Sequence, residues 1–199
     1  MDDKNENDKD GKSSDSSKKR KFSSNEYGPG ASAMVSREDG ALKKRLAEKN
    51  LEQVIIDDDG NCQFRAIAHQ LNQLHPNPRD HVDHADVRTA IIHHMTHNDD
   101  LYSNFIAYNG VLESDGPTYT DYNNFLNRMG RNGHWGDHLT LQAAANTYRI
   151  RIRMYSSNGE THDLVFLPDG HEGSTDLRTI RVIYNGVNHY NSTCSTIGE

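Results

Sequence analysis

Cys62 is the side chain in this sequence that is best placed for nucleophilic chemistry. Three acids and a glycine shortly precede it, and apolar side chains after it recur at the i, i+3, i+4 and i+7 spacing of a helix: Phe64, Ile67, Ala68 and Leu71. The predicted helix begins at Cys62, where free backbone N–H groups and the helix dipole favour a thiolate. The alternative is that Asp59 only caps this helix and that Cys62 is a small buried residue.

A cysteine nucleophile needs a base, because an ordinary thiol is only about 3% ionised at neutral pH. Among the 12 histidines, His189 stands out because it follows a predicted strand and a tight turn, with Asn191 two residues further on. Residues i and i+2 of an extended segment point to the same face. Asn191 can therefore accept a hydrogen bond from the imidazole, fix its tautomer and leave the other ring nitrogen for Cys62.

The turn before Cys62 has a second predicted task, because acyl transfer needs backbone N–H donors where the oxyanion forms. A glycine-containing turn that ends at a helix N-terminus can present the N–H of Cys62 together with one from Asp59, Gly60 or Asn61. We expect Asp59 to hold this turn rigid by accepting hydrogen bonds from its amides.

The elements that must position these residues are predicted as helices first and strands afterwards. Helical spacing covers residues 37–50, the stretch after Cys62, residues 83–97, residues 119–129 and, behind Asp137 as N-cap, a helix through residue 145. Strands are expected at residues 54–56, 150–155, 162–167, 179–184 and 189–192. Residues 99–133 are otherwise expected to form a loop. This order predicts an α+β fold with a central mixed β-sheet packed between helices.

Composition divides the chain near residue 36. Residues 1–36 are rich in Lys, Asp, Asn and Ser, which predicts a disordered Ser-rich tail of mixed charge, and residues 37–199 are expected to form one catalytic domain. In the tail, Lys18-Lys19-Arg20-Lys21 is either a nuclear-import signal or a solvated charge run. We therefore expect a cytoplasmic protein, with nuclear entry as the alternative.

Composition also argues against several classes of partner and cofactor. Of the 29 acidic residues 19 lie after residue 50, against 10 of the 22 basic ones, so the predicted domain is acidic and a poor match for nucleic acid. No apolar run approaches the length of a membrane span. Two cysteines are few for a secreted scaffold, which favours a reduced compartment. Five histidines fall between residues 81 and 97, but no acid or thiol completes a zinc pattern with them, so we expect no metal.

Three motifs in the right order resemble the ovarian-tumour (OTU) family of cysteine proteases. Asp59-Gly60-Asn61-Cys62-Gln63-Phe64-Arg65-Ala66 is similar to the family's nucleophile signature. His134-Trp135-Gly136-Asp137 resembles its tryptophan-glycine segment, and Tyr184-Asn185-Gly186-Val187-Asn188-His189-Tyr190-Asn191 resembles its histidine segment. The resemblance implies a papain-like deubiquitinase that hydrolyses the (iso)peptide bond at the C-terminal glycine of ubiquitin.

The resemblance also implies the roles of individual residues. Cys62 is the nucleophile, His189 is general base and then general acid, Asn191 orients the imidazole, and Asp59 matches the family's acidic position before the cysteine. Because an amide gives no charge to an imidazolium, we leave open whether Asn191 or Asp59 supports His189 more.

The implied partner is ubiquitin or polyubiquitin, bound by a monomer without a cofactor. Trp135 and Asn188 are expected to bind substrate, although Trp135 on its glycine-flanked loop could equally be a lid over the core. Residues 99–133 are a candidate contact surface for the ubiquitin body. Two alternatives remain at this point: a protease for a ubiquitin-like modifier, and an inactive ubiquitin-binding scaffold.

Overall fold

The computed structural model describes residues 40–109 and 121–197, so the expected tail and Lys18-Lys19-Arg20-Lys21 lie outside the described residues. The first helix, α1, occupies residues 40–47. The other elements in chain order are β1 (Leu51–Val54), α2 (Cys62–Gln73), α3 (His84–Thr96), α4 (Asp99–Asn109), α5 (Tyr122–Met129), α6 (His138–Tyr148), β2 (Arg151–Ser156), β3 (Leu164–Phe166), β4 (Thr179–Tyr184) and β5 (Tyr190–Ser195), with 3₁₀ turns at Pro78–Asp80 and Glu160–His162.

The strands form one five-stranded mixed sheet in the order β1-β5-β4-β2-β3. Only β2 and β4 pair in parallel, and the other three pairs are antiparallel. Val54 ends β1 opposite Ser192 near the start of β5, and Tyr184 ends β4 opposite Tyr190. The chain that leads from β1 to Cys62 therefore starts at the end of the sheet where His189 enters β5.

Helices lie on both faces of this sheet, which confirms the predicted α+β class. The main core contains the inner sides of α2, α3 and α6 and one face of the sheet, including Phe64, Ile67, Ile91, Leu141, Ile152 and Val182. A second, smaller cluster seats α1 through Leu42, Leu46, Leu51, Tyr155 and Ile183. Each buried aliphatic side chain of this kind stabilises the fold by about 1.5–3 kcal/mol. α2, which carries Cys62, is thus held by the main core along its whole inner side.

Two helix starts are fixed by acids, of which only Asp137 was expected in that role. Asp83 caps α3 in a reciprocal capping box with Asp86, and Asp137 caps α6 in another with Thr140. None of the helices within residues 40–109 and 121–197 is long and apolar enough to cross a membrane.

The expected loop over residues 99–133 is wrong in its first part, because α4 occupies Asp99–Asn109. Tyr102 and Ile106, one helical turn apart, are buried, whereas Leu101 and Phe105 on the neighbouring stripe are 40% and 56% exposed. Asp99 and Asp100 lie in the first turn, where the helix dipole favours acids. Tyr102 and Ile106 do have helical spacing, but the polar composition of residues 99–133 as a whole favoured the prediction of a loop.

Three strand bounds also differ from expectation. β1 ends at Val54, and Ile55 is 76% exposed, so residues 55 and 56 belong to the segment that leads from β1 to Cys62. β3 is only Leu164–Phe166, because a 3₁₀ turn occupies Glu160–His162. β5 extends to Ser195, because all four residues of β1 pair with residues 192–195.

Candidate active site

Cys62 is the first residue of α2 and only 2% exposed. The helix N-terminus does not make it an acidic thiol: burial, aided by the charges of Asp58 and Asp59, raises the pKa of the Cys62 thiol. The backbone of Tyr190 and of Gln63 acts in the opposite direction. The expected depression of this pKa is therefore wrong, because a tightly packed sulfur loses more solvation than the helix end returns.

Asp59 holds the turn before Cys62 in place and does not orient the His189 imidazole. Its Oδ1 accepts the backbone N–H of Asn61 at 3.0 Å. Its Oδ2 accepts Nδ2 of Asn61 at 3.2 Å, and Nε and Nη2 of Arg65 at 3.0 and 2.6 Å. The Arg65 guanidinium is the main reason that the pKa of Asp59 lies well below its usual range. Asp59 is thus an ion-paired brace at neutral pH and makes no hydrogen bond with His189 in the described part of the chain.

The backbone donors of this turn are unequal. The N–H of Asn61 is taken by Asp59, so it is not free for an oxyanion. Within the described residues, the N–H groups of Gly60 and Cys62 donate to no protein acceptor. Of the four backbone positions expected to form an oxyanion hole, Asn61 is therefore excluded, and the N–H groups of Asp59, Gly60 and Cys62 have no acceptor within the described residues.

A buried arginine joins this turn to the loop of residues 129–134. Arg88 in α3 is 3% exposed and donates from Nη1 to the carbonyl of Met129 at 2.7 Å. Its Nη2 donates to Asn61 Oδ1 at 2.8 Å, to His134 O at 2.7 Å and to Gly60 O at 3.4 Å. Sequence reasoning missed Arg88, because one arginine within an amphipathic helix carries no signal that it is buried.

Two glycines let these segments touch. Gly60 has a φ of 77°, and a Cβ there would lie 2.0 Å from the carbonyl oxygen of Gly133. The N–H of Gly133 donates to Asn61 Oδ1 at 2.8 Å. Gly60 thus meets two demands that only glycine satisfies, a left-handed backbone and a contact with another chain segment.

The His189 imidazole is oriented by Asn191. Nε2 of His189 lies 3.1 Å from Asn191 Oδ1, which also accepts the N–H of Ile56 at 2.9 Å. An amide oxygen cannot donate, so Nε2 carries the proton and Nδ1 of the neutral ring is the basic nitrogen. The sequence left open which residue supports the imidazole, and Asn191 rather than Asp59 makes the contact.

Nδ1 of His189 has no hydrogen-bond partner in the described residues, although it is buried. The exposed carboxylate of Asp58 lies 3.5 Å away, without hydrogen-bond geometry. The backbone of the next residue, Tyr190, acts directly on the Cys62 thiol. Nδ1 of His189 is therefore without a hydrogen bond, and the residue next to His189 in the chain contacts the Cys62 thiol.

A side chain that the sequence did not single out shapes the loop before His189. Asn185 Oδ1 accepts the N–H groups of Val187, Asn188 and His189 at 2.9 to 3.0 Å. The pattern is an asparagine turn, which an Asn before a Gly can indicate.

Trp135 stands on an anchored loop and is 51% exposed. The preceding carbonyl is held by Arg88, and a Cβ on the following Gly136 would lie 2.1 Å from Oε1 of Gln63, the neighbour of Cys62. The half-exposed ring is not a lid over the core. Asn188 is partly exposed in the histidine loop.

A cleft of about 640 Å³ lies between α4 and α6. Its lining includes Leu101, Phe105, His138, Leu139 and Asp169.

The clustered histidines between residues 81 and 97 have contacts of their own. Nε2 of His94 lies 3.0 Å from the Tyr102 hydroxyl, and the rings of His93 and His97 lie 4.2 Å apart. Across the described ranges, no three His, Cys, Asp or Glu side chains are grouped to hold a metal.

A buried cysteine at a helix N-terminus, and a histidine oriented by an amide on the adjacent strand, define a cysteine hydrolase. The family model of the OTU-like cysteine proteases matches residues 57–190, which include Cys62 and His189 and end one residue before Asn191. The chain belongs to the OTU family of cysteine proteases.

Relatives agree with this assignment, and solved OTU structures share the fold. The OVARIAN TUMOR DOMAIN-containing deubiquitinating enzymes 10 and 9 of Arabidopsis thaliana are 34% and 32% identical over 66% and 76% of this chain. The chain spans only 32% and 38% of their lengths. The OTU domain of OTUD1 superposes with a TM-score of 0.65 at 19% identity, covering 83% of this chain and 99% of that one. An OTU deubiquitinase from Wolbachia pipientis bound to ubiquitin gives 0.57 at 16% identity, covering 74% and 98%.

Proposed function

We propose that this chain is a deubiquitinase that hydrolyses (iso)peptide bonds at the C-terminal glycine of ubiquitin through Cys62. The observation that carries the proposal is the His189–Asn191 pair, which flanks Tyr190, the residue whose backbone interacts with the Cys62 thiol, and in which Nδ1 of the imidazole is left without a partner. The names of the Arabidopsis relatives and the ubiquitin complex of the Wolbachia enzyme support ubiquitin as the substrate.

In the proposed mechanism, His189 Nδ1 takes the proton from the Cys62 thiol as substrate arrives. Because burial raises the pKa of that thiol, this transfer rather than the helix end generates the nucleophile. The sulfur attacks the glycine carbonyl, and the N–H groups of Cys62 and Gly60 stabilise the oxyanion. The imidazolium then protonates the leaving amine. His189 next activates a water molecule, which releases ubiquitin from the thioester.

Asn191 has the role of keeping His189 in the productive tautomer. Its amide is itself oriented, because the N–H of Ile56 and Nε2–H of His189 both need the oxygen. Asp59 supports the reaction indirectly, through the Asn61 amides that it holds.

The substrate path follows the exposed apolar surface. We assign the ubiquitin tail to a groove walled by Trp135 and Asn188, and the ubiquitin body to α4 and the cleft beside it. Phe105 and Leu101 supply the exposed apolar side chains of that surface.

We further propose that the protein acts as a monomer and does not need nucleic acid or a membrane. For location we propose the cytoplasm, with nuclear entry through Lys18-Lys19-Arg20-Lys21.

The test is a ubiquitin probe with a C-terminal electrophile, followed by the panel of di-ubiquitin linkages. The wild-type chain and Cys194→Ser, the matched control at the second thiol, should form an adduct and cleave chains. Cys62→Ala should do neither. A reaction only with the probe of a ubiquitin-like modifier would move the substrate to that class. Binding of ubiquitin without an adduct would leave a scaffold.

A further inference from the structure

Arg88 carries a buried positive charge for which the described residues supply no ion-paired carboxylate. Asp59, the acid close enough to act on it, is paired with Arg65. Burial lowers the pKa of Arg88 to about 10, so the guanidinium is still charged at neutral pH. A charge without a counter-ion is costly to bury, and a fold gains little from it unless the charge has a use.

Four neutral oxygens accept hydrogen bonds from the guanidinium without neutralising its charge, and they come from two separate loops. Asn61 Oδ1 and Gly60 O belong to the turn before the nucleophile. Met129 O and His134 O belong to the loop that carries the tryptophan. The Phe64 ring closes the remaining side, with its centroid 3.8 Å from Cζ. A single planar fork therefore sets the distance between the two loops.

The same contacts orient the dipoles next to Cys62. Arg88 draws Gly60 O and Asn61 Oδ1 to one side, and Asp59 binds the N–H and Nδ2 of Asn61 on the other. Asn61 O accepts the N–H of Arg65, so in the trans peptide the N–H of Cys62 points out of the helix. The unit that would hold an oxyanion is thus fixed between a cation and an anion.

We propose that Arg88 is the positioning residue of the oxyanion turn, and that its uncompensated charge favours the negative sulfur and the oxyanion. The inference rests on the proposed function and extends it to a residue of α3. Arg88 and the Cys62 sulfur interact electrostatically. The other charged or titratable groups that act on the sulfur are Asp58 and Asp59 from the turn and Tyr190 from β5, and His189 lies 3.5 Å from the Asp58 carboxylate. Arg88 is the cation among them that carries its charge at every working pH.

Two substitutions separate the two parts of the proposal. Arg88→Lys keeps the charge but replaces the planar fork by a single ammonium. Arg88→Gln keeps amide donors but removes the charge. Arg151→Lys is the matched control, because Arg151 also donates to a backbone carbonyl, that of Ser174, at the end of β2 away from His189.

The first measurement is the rate at which a small neutral reagent alkylates Cys62 as a function of pH, with Cys194→Ser in every protein. It needs no ubiquitin, so it stands even if the proposed function fails. Arg88→Gln should move the midpoint upward by about one pH unit, while Arg88→Lys and Arg151→Lys stay at the wild-type midpoint. Equal midpoints in all four proteins would overturn the role of the charge.

The second measurement is kcat and KM on a ubiquitin fluorogenic substrate, with thermal unfolding as a check. Arg88→Lys should lower kcat by about 10- to 100-fold with little change in KM, and Arg151→Lys should match wild type. Wild-type kcat in both Arg88 variants would overturn the positioning role. Unfolding of both at the assay temperature would overturn it in favour of a purely structural one. An inactive wild type with a normal alkylation profile would instead refute the proposed function.

Discussion

The cysteine turn, residues 57–62, and the histidine segment, residues 184–191, carry the two halves of one site but are built in opposite ways. In the turn, Asn61 is bonded on both sides, by Asp59 and by Arg88, and Gly60 lies against Gly133. In the segment, the imidazole has one hydrogen-bond acceptor, Asn191, and its loop is gathered by one amide oxygen.

The difference shows where single substitutions should act. Contacts in the turn are redundant except at Arg88, where they converge, so loss of one brace should reduce stability more than rate. Contacts in the histidine segment are single, so loss of one should misplace the base and reduce rate more than stability. The candidate site therefore joins a firmly fixed cysteine, the proposed nucleophile, to a lightly held histidine, the proposed base.

Among the substitutions that compare the two regions, the largest change in rate is expected for Asn191. Asn191→Ala should lower kcat by about 100-fold, because the imidazole loses the acceptor that fixes its tautomer and position. Stability should fall by about 1 kcal/mol, since the N–H of Ile56 also loses its acceptor. Steady-state kinetics and chemical denaturation measure the two. Asn191→Asp keeps an acceptor oxygen and should retain most of the activity. A rate change of Asn191→Ala below threefold would show that the amide does not orient the base.

A smaller effect is expected at Asn185. Asn185→Ala removes the acceptor of three N–H groups in the loop before His189, so kcat should fall by about tenfold. Because the loop is partly exposed and water can replace the lost bonds, unfolding free energy should change by less than about 1 kcal/mol. Asn185→Asp, with the same oxygen, is the control. A large loss of stability with an unchanged rate would remove the contrast between the two regions.

Substitution of Asp59 should have the smallest effect on rate. It tests most directly the contrast between the cysteine turn and the histidine segment. Its pKa is lowered mainly by Arg65, so its stabilisation is complete at neutral pH and is lost as pH falls below the unfolded value of about 3.9. Since the pair is about one-third exposed, Asp59→Asn should cost about 0.5 kcal/mol at pH 7 and less at pH 3.

Denaturation curves at the two pH values provide the measurement for Asp59. Arg65→Lys preserves the ion pair and should keep the acid-dependent part of the stability. The rate of Asp59→Asn should stay within about threefold of wild type, because Asn61 is still held by Arg88. A greater loss of rate than in Asn191→Ala would give Asp59 the larger share in supporting His189.

Local sequence patterns predicted the parts of the site that follow the periodicity of a helix or a strand. The helical spacing of Phe64, Ile67 and Leu71 placed Cys62 at a helix start, and the i, i+2 rule placed His189 and Asn191 on one face. Each of these depends only on backbone geometry over a few residues. The order of helices and strands likewise led to the α+β class.

The parts that escaped prediction depend on tertiary contact. The burial of Arg88 and the carbonyls around it come from segments far apart in the chain, and no local pattern encodes them. The pKa of Cys62 depends on how deeply the sulfur is packed, which the helix start alone does not determine. The partner of Asp59 is Arg65, six positions on, and the sharp turn at Gly60 is what brings the two together.

The contact of Gly60 with Gly133 has a consequence for how the enzyme matures. The hydrogen bond between Gly133 and Asn61 closes a loop of 72 positions, so it depends on α3 and α5 being in place first. α2 can form from local contacts alone, and its thiol then exists before the turn around it is shaped. We therefore expect the turn before Cys62 to assemble late, so that a partly folded chain carries the cysteine before its proposed oxyanion site is formed.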